Sequence, residues 1–134
     1  MASAAVSNVT VTATLSNGSQ VGAITVVSFT GASTGVNGAA ATAGAASGAP
    51  TATVTTTRAN SWVFAVGDDY DNAIARTVGA NQTLVDQYLA SVGDTYWVQR
   101  QNATTPNSGT SVIMNDTAPT SDQWNVALIE IPAS

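Results

Sequence analysis

The chain has no lysine, no histidine and no cysteine, and its only cationic side chains are Arg58, Arg76 and Arg100. Histidine is the usual general base near neutral pH, and cysteine and lysine are common activated nucleophiles. Their absence excludes Ser-His-Asp and Cys-His catalysis, Schiff-base chemistry, zinc sites built from histidine and cysteine, and disulfides. It also excludes an isopeptide crosslink between a lysine and an asparagine. Carboxylates and hydroxyls are the reactive groups that remain.

Charge of either sign is scarce. Charged residues make up 8% of the 134-residue chain, against about a quarter in an ordinary soluble domain. The net charge of -5 argues against nucleic acid and anionic membrane surfaces, since both attract clusters of lysine and arginine. There is no apolar run near the roughly 20 residues that span a bilayer, and no signal-peptide pattern at the start. Threonine, alanine, serine, asparagine and glycine dominate instead, which is typical of extracellular and cell-surface β-proteins.

Apolar and polar residues alternate along most of the chain, which indicates β-strands. Threonines alternate with apolar residues over 9–15, and residues 24–29 are apolar on both faces, as in a central strand. Residues 81–90 fit a helix or a strand, and their β neighbours favour the strand. Further strands are predicted at 51–55, 62–66, 74–78, 96–100, 112–114 and 124–131. About eight or nine short strands and no helix predict a single all-β domain, a sandwich or a barrel.

Residues 31–49 break this pattern. They are mostly glycine, alanine, serine and threonine, and Val36 is their only large apolar side chain. The composition predicts a long loop, and a loop of this length is a candidate for function or assembly.

Oxygen ligands are densest at an acidic corner formed by Asp68, Asp69, Asp71 and Asn72. Calcium takes six to eight oxygen ligands, and loops rich in aspartate and asparagine supply them. The spacing does not match an EF-hand, because no glycine lies mid-loop and no terminal glutamate follows. The corner therefore has two interpretations, a calcium site or an Asx-type turn with solvated carboxylates. Calcium is the only cofactor that the sequence suggests.

The aromatic residues on which a sugar ring could stack are Trp62, Trp97, Trp124, Tyr70, Tyr88 and Tyr96. Of these, we select Tyr70, Tyr96 and Trp97 as the candidates for a binding platform. Tyr70 lies on the polar corner, which favours exposure. Tyr96 and Trp97 are adjacent in a predicted strand, so their side chains point to opposite faces and one of them should face outward. The alternative for each aromatic is a place in the core. The three arginines are expected to pair with an aspartate or to pack over an aromatic ring.

Several stretches carry a resemblance to a known family. The most specific are residues 60–64 continuing through 71–77, residues 93–101 and residues 115–119, with shorter matches at 7–15, 27–32 and 46–52. Through them the chain resembles a module of secreted, multi-domain bacterial surface proteins, similar to jelly-roll sandwiches of the laminin-G or carbohydrate-binding type. The resemblance implies an antiparallel jelly-roll β-sandwich with an adhesive or glycan-binding function, and it implies no catalytic residue.

The chain departs from that family at two positions and at its start. Family members often have histidine at the position of Asp86 and asparagine at the position of Asp68. They usually have additional strands before the segment that matches Ser7, which implies an open sheet edge here. Nothing visible in the sequence protects such an edge. We therefore predict that an edge strand from Val6 to Leu15 pairs with another copy of the chain or with a strand of a partner.

The sequence is compatible with three functions. The first is a non-enzymatic extracellular β-sandwich for adhesion, or for binding a polysaccharide or cell-surface glycan. The second is a self-assembling structural subunit of a filament, surface layer or virion that uses strand-edge pairing. The third is a glycosidase-like hydrolase, which needs two carboxyls about 5–9.5 Å apart, one of them with a raised pKa.

Overall fold

A computed structural model of the protein describes residues 7–16, 18 and 20–134. These residues form eight β-strands and no helix. The strands are β1 (Ala40–Ala45), β2 (Thr51–Thr55), β3 (Trp62–Asp69), β4 (Thr77–Val78), β5 (Gln82–Leu89), β6 (Thr95–Gln101), β7 (Ser111–Ala118) and β8 (Trp124–Ile131).

The strands form two antiparallel sheets. The larger sheet has five strands in the order β1-β8-β3-β6-β5, and the smaller has three in the order β2-β7-β4. β2 lies near β1 and β8, whereas β4 lies near β5. The β2 edge of the small sheet therefore lies on the β1 side of the large sheet, and the β4 edge on the β5 side. The all-β antiparallel sandwich that the sequence predicts is confirmed.

The inner faces of both sheets form one apolar core, because successive side chains of a strand point to opposite faces. The small sheet supplies Ala52, Val54 and Met114 to this core. The large sheet supplies Val63, Ala65, Trp97, Trp124, Val126 and Leu128. The other face of the large sheet, which we call the outer face, turns away from the small sheet and is the surface of functional interest.

The predicted strands at 9–15 and 24–29 are wrong for this structure, since neither segment forms a strand. Val9, Val11 and Leu15 are 58%, 54% and 54% exposed. An alternating pattern gives a segment strand propensity but does not supply the neighbour whose backbone it must bond. Val6, where the predicted edge strand begins, lies outside the described residues.

The predicted loop at 31–49 is also wrong in its second half, where β1 forms the edge of the large sheet next to β8. Its small residues fit because the two strands approach closely. A Cβ atom on Gly44 would lie 2.5 Å from Asn125 Oδ1, and Ala41 and Ala43 pack against the core. Low hydrophobicity here reflects lack of space, which composition does not distinguish from a loop.

The ambiguous segment at 81–90 is a strand, as predicted, and it contains one irregularity. Leu84 pairs with Gln99 and Asp86 with Val98, so Val85 is an extra residue in β5. Such a β-bulge turns the following side chains to the opposite face. Leu84 therefore packs against the core, whereas Asp86 lies on the outer face.

Candidate functional site

A cleft of about 1200 Å³ lies on the outer face of the large sheet. Residues of β1, β3, β5, β6 and β8 form its floor. An extended segment, residues 20–30, crosses above the floor; we call this segment the strap. The strap contributes Ala23, Ile24, Thr25, Val27 and Phe29 to the lining, and apart from Ile24 these are odd-numbered residues.

Three tyrosines line the cleft. Tyr88 of β5 and Tyr96 of β6 stack with ring centroids 6.4 Å apart and an interplanar angle of 15°. Tyr70, which follows β3, is 43% exposed and also lines the cleft. The Tyr96 hydroxyl lies 2.8 Å from Asp94 Oδ2 and 3.1 Å from Val21 O. Burial and the hydrogen bond to Asp94 raise the pKa of Tyr96 to about 12, so this hydroxyl stays protonated.

Two carboxylates also line the cleft, Asp68 and Asp86. Asp86 Oδ2 accepts a hydrogen bond of 2.9 Å from Thr25 Oγ1 of the strap. Burial and the charge of Asp94 raise the pKa of Asp68, although Arg76 opposes the shift. Among the described residues, Asp68 Oδ1 is buried and accepts no hydrogen bond. The cleft thus presents hydrogen-bond acceptors beside aromatic rings.

Three side-chain contacts hold the strap on the sheet. The Phe29 ring packs edge to face on Phe64 of β3, with 5.2 Å between the ring centroids. The Thr25 hydroxyl donates a hydrogen bond to Asp86, and the Tyr96 hydroxyl lies 3.1 Å from Val21 O. No backbone hydrogen bond joins residues 20–30 to a described strand. Contacts of this kind leave the strap much less firmly attached than a strand in a ladder.

The predicted platform residues separate into two groups. Tyr70 and Tyr96 both line the cleft, as a platform requires. Trp97 borders the cleft as well, but its side chain packs in the core and is only 1% exposed. The prediction that either Tyr96 or Trp97 faces outward is confirmed for Tyr96, and Trp97 cannot offer its ring to a ligand.

The acidic corner does not form one ligand shell. Asp68 faces the outer face and Asp69 the core, because they are consecutive residues of β3. Asp69 Oδ1 accepts the backbone N–H of Asp71 at 2.9 Å, which is an Asx-type turn, and Asp71 Oδ2 accepts Gln123 N–H at 2.8 Å. Asn72 Nδ2 donates to Asp122. Within the described residues no group of three or more acidic, histidine or cysteine side chains is placed to hold a metal ion.

Behind the cleft floor, Arg76 lies between the sheets. Its guanidinium forms a fully buried ion pair with Asp69 and stacks 4.5 Å from the centre of the Trp97 ring. Arg100 lies over Trp62 at 5.1 Å. These contacts confirm the expected pairing of the arginines for Arg76 and Arg100. Asp116 and Asp122 are also buried, so the cluster is a structural charge network inside the sandwich.

Sequence reasoning missed Asp86 and Asp94 as residues of the site, and it included Tyr88 among the possible stacking aromatics without selecting it for the platform. Tyr88 and Asp86 reach the outer face only because of the bulge at Val85, which no local signal marks. Asp94 precedes β6 in a turn and was not distinguished from other turn aspartates, although its spacing of two residues from Tyr96 places it on the same face.

Comparisons with known proteins give no relative: no protein-family model, no curated protein and no solved structure matches this chain. Within residues 7–16, 18 and 20–134 there is also no helix with the length and hydropathy needed to cross a bilayer.

Proposed function

We propose that this protein is a non-enzymatic extracellular β-sandwich module that binds a glycan in the cleft on its outer face. The observation that carries the proposal is the stacked pair Tyr88 and Tyr96 with Tyr70 in one open cleft. Tyrosine offers an apolar ring face on which the C–H groups of a sugar pack, and a hydroxyl that hydrogen-bonds. Asp68 and Asp86 supply acceptors for sugar hydroxyls.

The size and charge of the cleft narrow the ligand class. The floor extends over five strands, which are about 4.8 Å apart, so it is roughly 19 Å wide. That width suits an oligosaccharide or a polysaccharide segment better than a single sugar. The ionisable carboxyls of the lining are Asp68 and Asp86, and no arginine lines it. A neutral glycan therefore fits better than one rich in uronic acid or sulfate.

The test is binding to a glycan array, followed by affinity electrophoresis in gels that contain the polysaccharides that score. The double variant Tyr70→Ala with Tyr88→Ala should weaken retardation on the order of tenfold or more, because each ring contributes stacking. Ile113→Ala is the matched control, since Ile113 is 59% exposed on β7, away from the cleft. Equal binding by wild type and the double variant, or no retention of wild type on any glycan, would contradict the proposal.

A non-enzymatic role is supported by the missing catalytic residue types and by the engagement of Asp86 and Asp94 with hydroxyls of the protein itself. Incubation with each bound polysaccharide should release no reducing ends. Release by wild type that disappears in Asp68→Asn with Asp86→Asn would instead identify a hydrolase.

Self-assembly is the second candidate, and a separate observation favours it. Residues 7–16, which we call the arm, carry the alternating pattern of a strand while Val9, Val11 and Leu15 remain more than half exposed. Exposed β-prone segments without charge are templates for strand pairing. Light scattering after size exclusion at tens of micromolar should show oligomers, and a clean monomer would count against this function.

A further inference from the structure

The four sheet edges differ in how well they are protected. β5 has the bulge at Val85 and a charge at Asp86, and β4 has only two residues. β1 contains Gly44 and mostly alanine. β2 has no charge, no proline, no glycine and no bulge, and all its residues except Ala52 are β-branched. β2 is therefore the edge on which strand addition is least opposed.

The backbone groups of the β2 edge can be assigned from its ladder with β7. Thr56 N–H donates to Thr110 O and Asp116 N–H donates to Pro50 O, each at 2.9 Å. Antiparallel ladders alternate hydrogen-bonded and non-hydrogen-bonded pairs, so the even-numbered residues of β2 bond β7. The N–H and C=O groups of Thr51, Thr53 and Thr55 point the other way. No described strand pairs with β2 on that side.

The arm matches this edge side chain by side chain. In β2 the residues Ala52 and Val54 face the core, whereas Thr51, Thr53 and Thr55 face solvent. In the arm Val9, Val11 and Ala13 alternate with Thr10, Thr12 and Thr14. A strand placed beside β2 would continue both rows, apolar beside apolar and threonine beside threonine, and such cross-strand pairs stabilise a sheet. Residues 7–33 carry no charge, so nothing repels the approach.

The arm cannot make this contact within its own molecule. The strap contacts β3 at Phe29, β5 at Thr25 and β6 at Val21, so its Val21 end lies over the β5–β6 side of the large sheet. β2 lies at the opposite side, next to β1. Residues 16–20 reach at most about 17 Å. To reach β2, the chain would have to cross roughly 10 Å between the two sheets and about 14 Å across the width of three strands. This path is longer than residues 16–20 can span.

We propose that the arm of one copy adds as a fourth strand to the β2 edge of a second copy. This inference rests on the second function, self-assembly, and names its acceptor. Donor and acceptor are different surfaces of the chain, so the contact is heterologous. Copies joined in this way grow into open filaments unless the rotation closes a ring.

The test uses the absence of cysteine, which makes any introduced cysteine the only thiol. Thr12→Cys protein and Thr53→Cys protein, the latter with a C-terminal tag that separates the mixed dimer on a gel, are combined and oxidised mildly. Thr12→Cys mixed with Thr42→Cys is the matched control, because Thr42 is an exposed threonine in another uncharged edge strand, β1. Strand addition at β2 predicts on the order of tenfold more mixed dimer with Thr53→Cys, since pairing raises the effective concentration of the two thiols.

The outcomes separate the inference from the function on which it rests. If light scattering shows oligomers but no crosslink forms between positions 12 and 53, β2 is not the acceptor and self-assembly still stands. Monomer by light scattering with no crosslink would overturn both. A monomeric crosslink within the double variant Thr12→Cys with Thr53→Cys would show that the arm reaches its own β2, which also overturns the inference.

Proline variants give a second readout. Thr53→Pro removes an N–H that points to the free edge, where proline is tolerated, so the monomer should keep its circular dichroism and lose assembly. Val54→Pro removes an N–H that bonds β7 and should unfold the domain. Thr12→Pro should act on the donor side as Thr53→Pro acts on the acceptor side. Assembly that survives both Thr12→Pro and Thr53→Pro would contradict the inference.

Discussion

The guanidinium of Arg76 lies 4.5 Å from the centre of the Trp97 indole, between the two sheets and out of contact with solvent. The same guanidinium forms a buried ion pair with Asp69. In a chain with three cationic side chains, one is thus committed to the interior. It is enclosed by the acidic residues Asp69, Asp116 and Asp122, whose charges it partly balances.

Replacing Arg76 should therefore destabilise the fold strongly. Arg76→Met should lower the free energy of unfolding by about 3–5 kcal/mol, because it leaves the Asp69 carboxylate buried without its partner. The double variant Arg76→Met with Asp69→Asn should recover part of that loss, because the remaining partner is neutral. Urea unfolding followed by tryptophan fluorescence measures both variants. A loss below about 1 kcal/mol in the single variant would contradict the assigned role.

Because of Asp116, the free energy of unfolding should decrease as the pH rises toward neutral. Burial raises its pKa to about 7 from 3.8, although Arg76 and Gln99 oppose the shift. Between those pH values the folded protein binds more protons than the unfolded chain, so the free energy of unfolding decreases as pH rises through this window. Asp116→Asn should flatten the decrease. Urea unfolding at several pH values between 4.5 and 7.5 tests this, with exposed Asp71→Asn as the control; equal slopes in wild type and Asp116→Asn would refute it.

Glu130 should act in the opposite sense at low pH. Burial alone would raise its pKa, but hydrogen bonds from Ala39, Ser61 and Thr57 lower the pKa to about 2. The stabilisation is complete above the unfolded value of 4.5 and is lost as pH falls toward 2. Acid unfolding of Glu130→Gln should lack this contribution.

The same variant should be less stable at neutral pH as well. The Glu130 carboxylate accepts the backbone N–H groups of Ala39, Thr57 and Arg58 and the hydroxyls of Thr57 and Ser61. A glutamine amide would direct an N–H group at some of these donors, at a cost of about 2–4 kcal/mol. Thermal unfolding of Glu130→Gln at pH 7 measures it, and an unchanged Tm would rule out this network as a source of stability.

Gly67 should tolerate no side chain, because a Cβ atom there would overlap the Trp97 ring. Gly67→Ala should lower the free energy of unfolding by about 1–3 kcal/mol, as overpacking of a core does. Gly35→Ala is the matched control, since a Cβ atom at Gly35 meets nothing within 4 Å. Urea unfolding should show the loss for the first variant only, and equal effects would contradict the packing described for Trp97.

The sequence predicts best where a strand alternates large apolar and polar residues between two partners. β2 and β8 have the bounds that their patterns predict, because inward-facing side chains such as Val54 and Leu128 are large enough to mark a face. β1 was not predicted because its inward positions hold alanine. Alanine fits the narrow space beside β8, but it gives the segment the composition of a loop. Segments 9–15 and 24–29 have the strand pattern without a partner, which only the topology reveals.

The site was predictable in part for a related reason. Alternation along β6 requires that one of Tyr96 and Trp97 face outward, and the Asp-rich turn exposes Tyr70. Alternation does not predict Tyr88 and Asp86, because the bulge shifts them by one residue, nor the strap, because side-chain contacts between distant segments leave no local pattern.

The extra residue in β5 has a consequence for how such a sheet edge changes in evolution. Because Leu84 already pairs with Gln99 and Asp86 with Val98, a deletion of Val85 would leave the faces of Asp86 and Gln87 unchanged and would remove only the bulge. The carboxylate would stay over the floor, while the β5 edge would become regular and easier for another strand to join. Length variation at this single position can therefore alter how a sheet edge accepts a partner without altering the binding surface beside it.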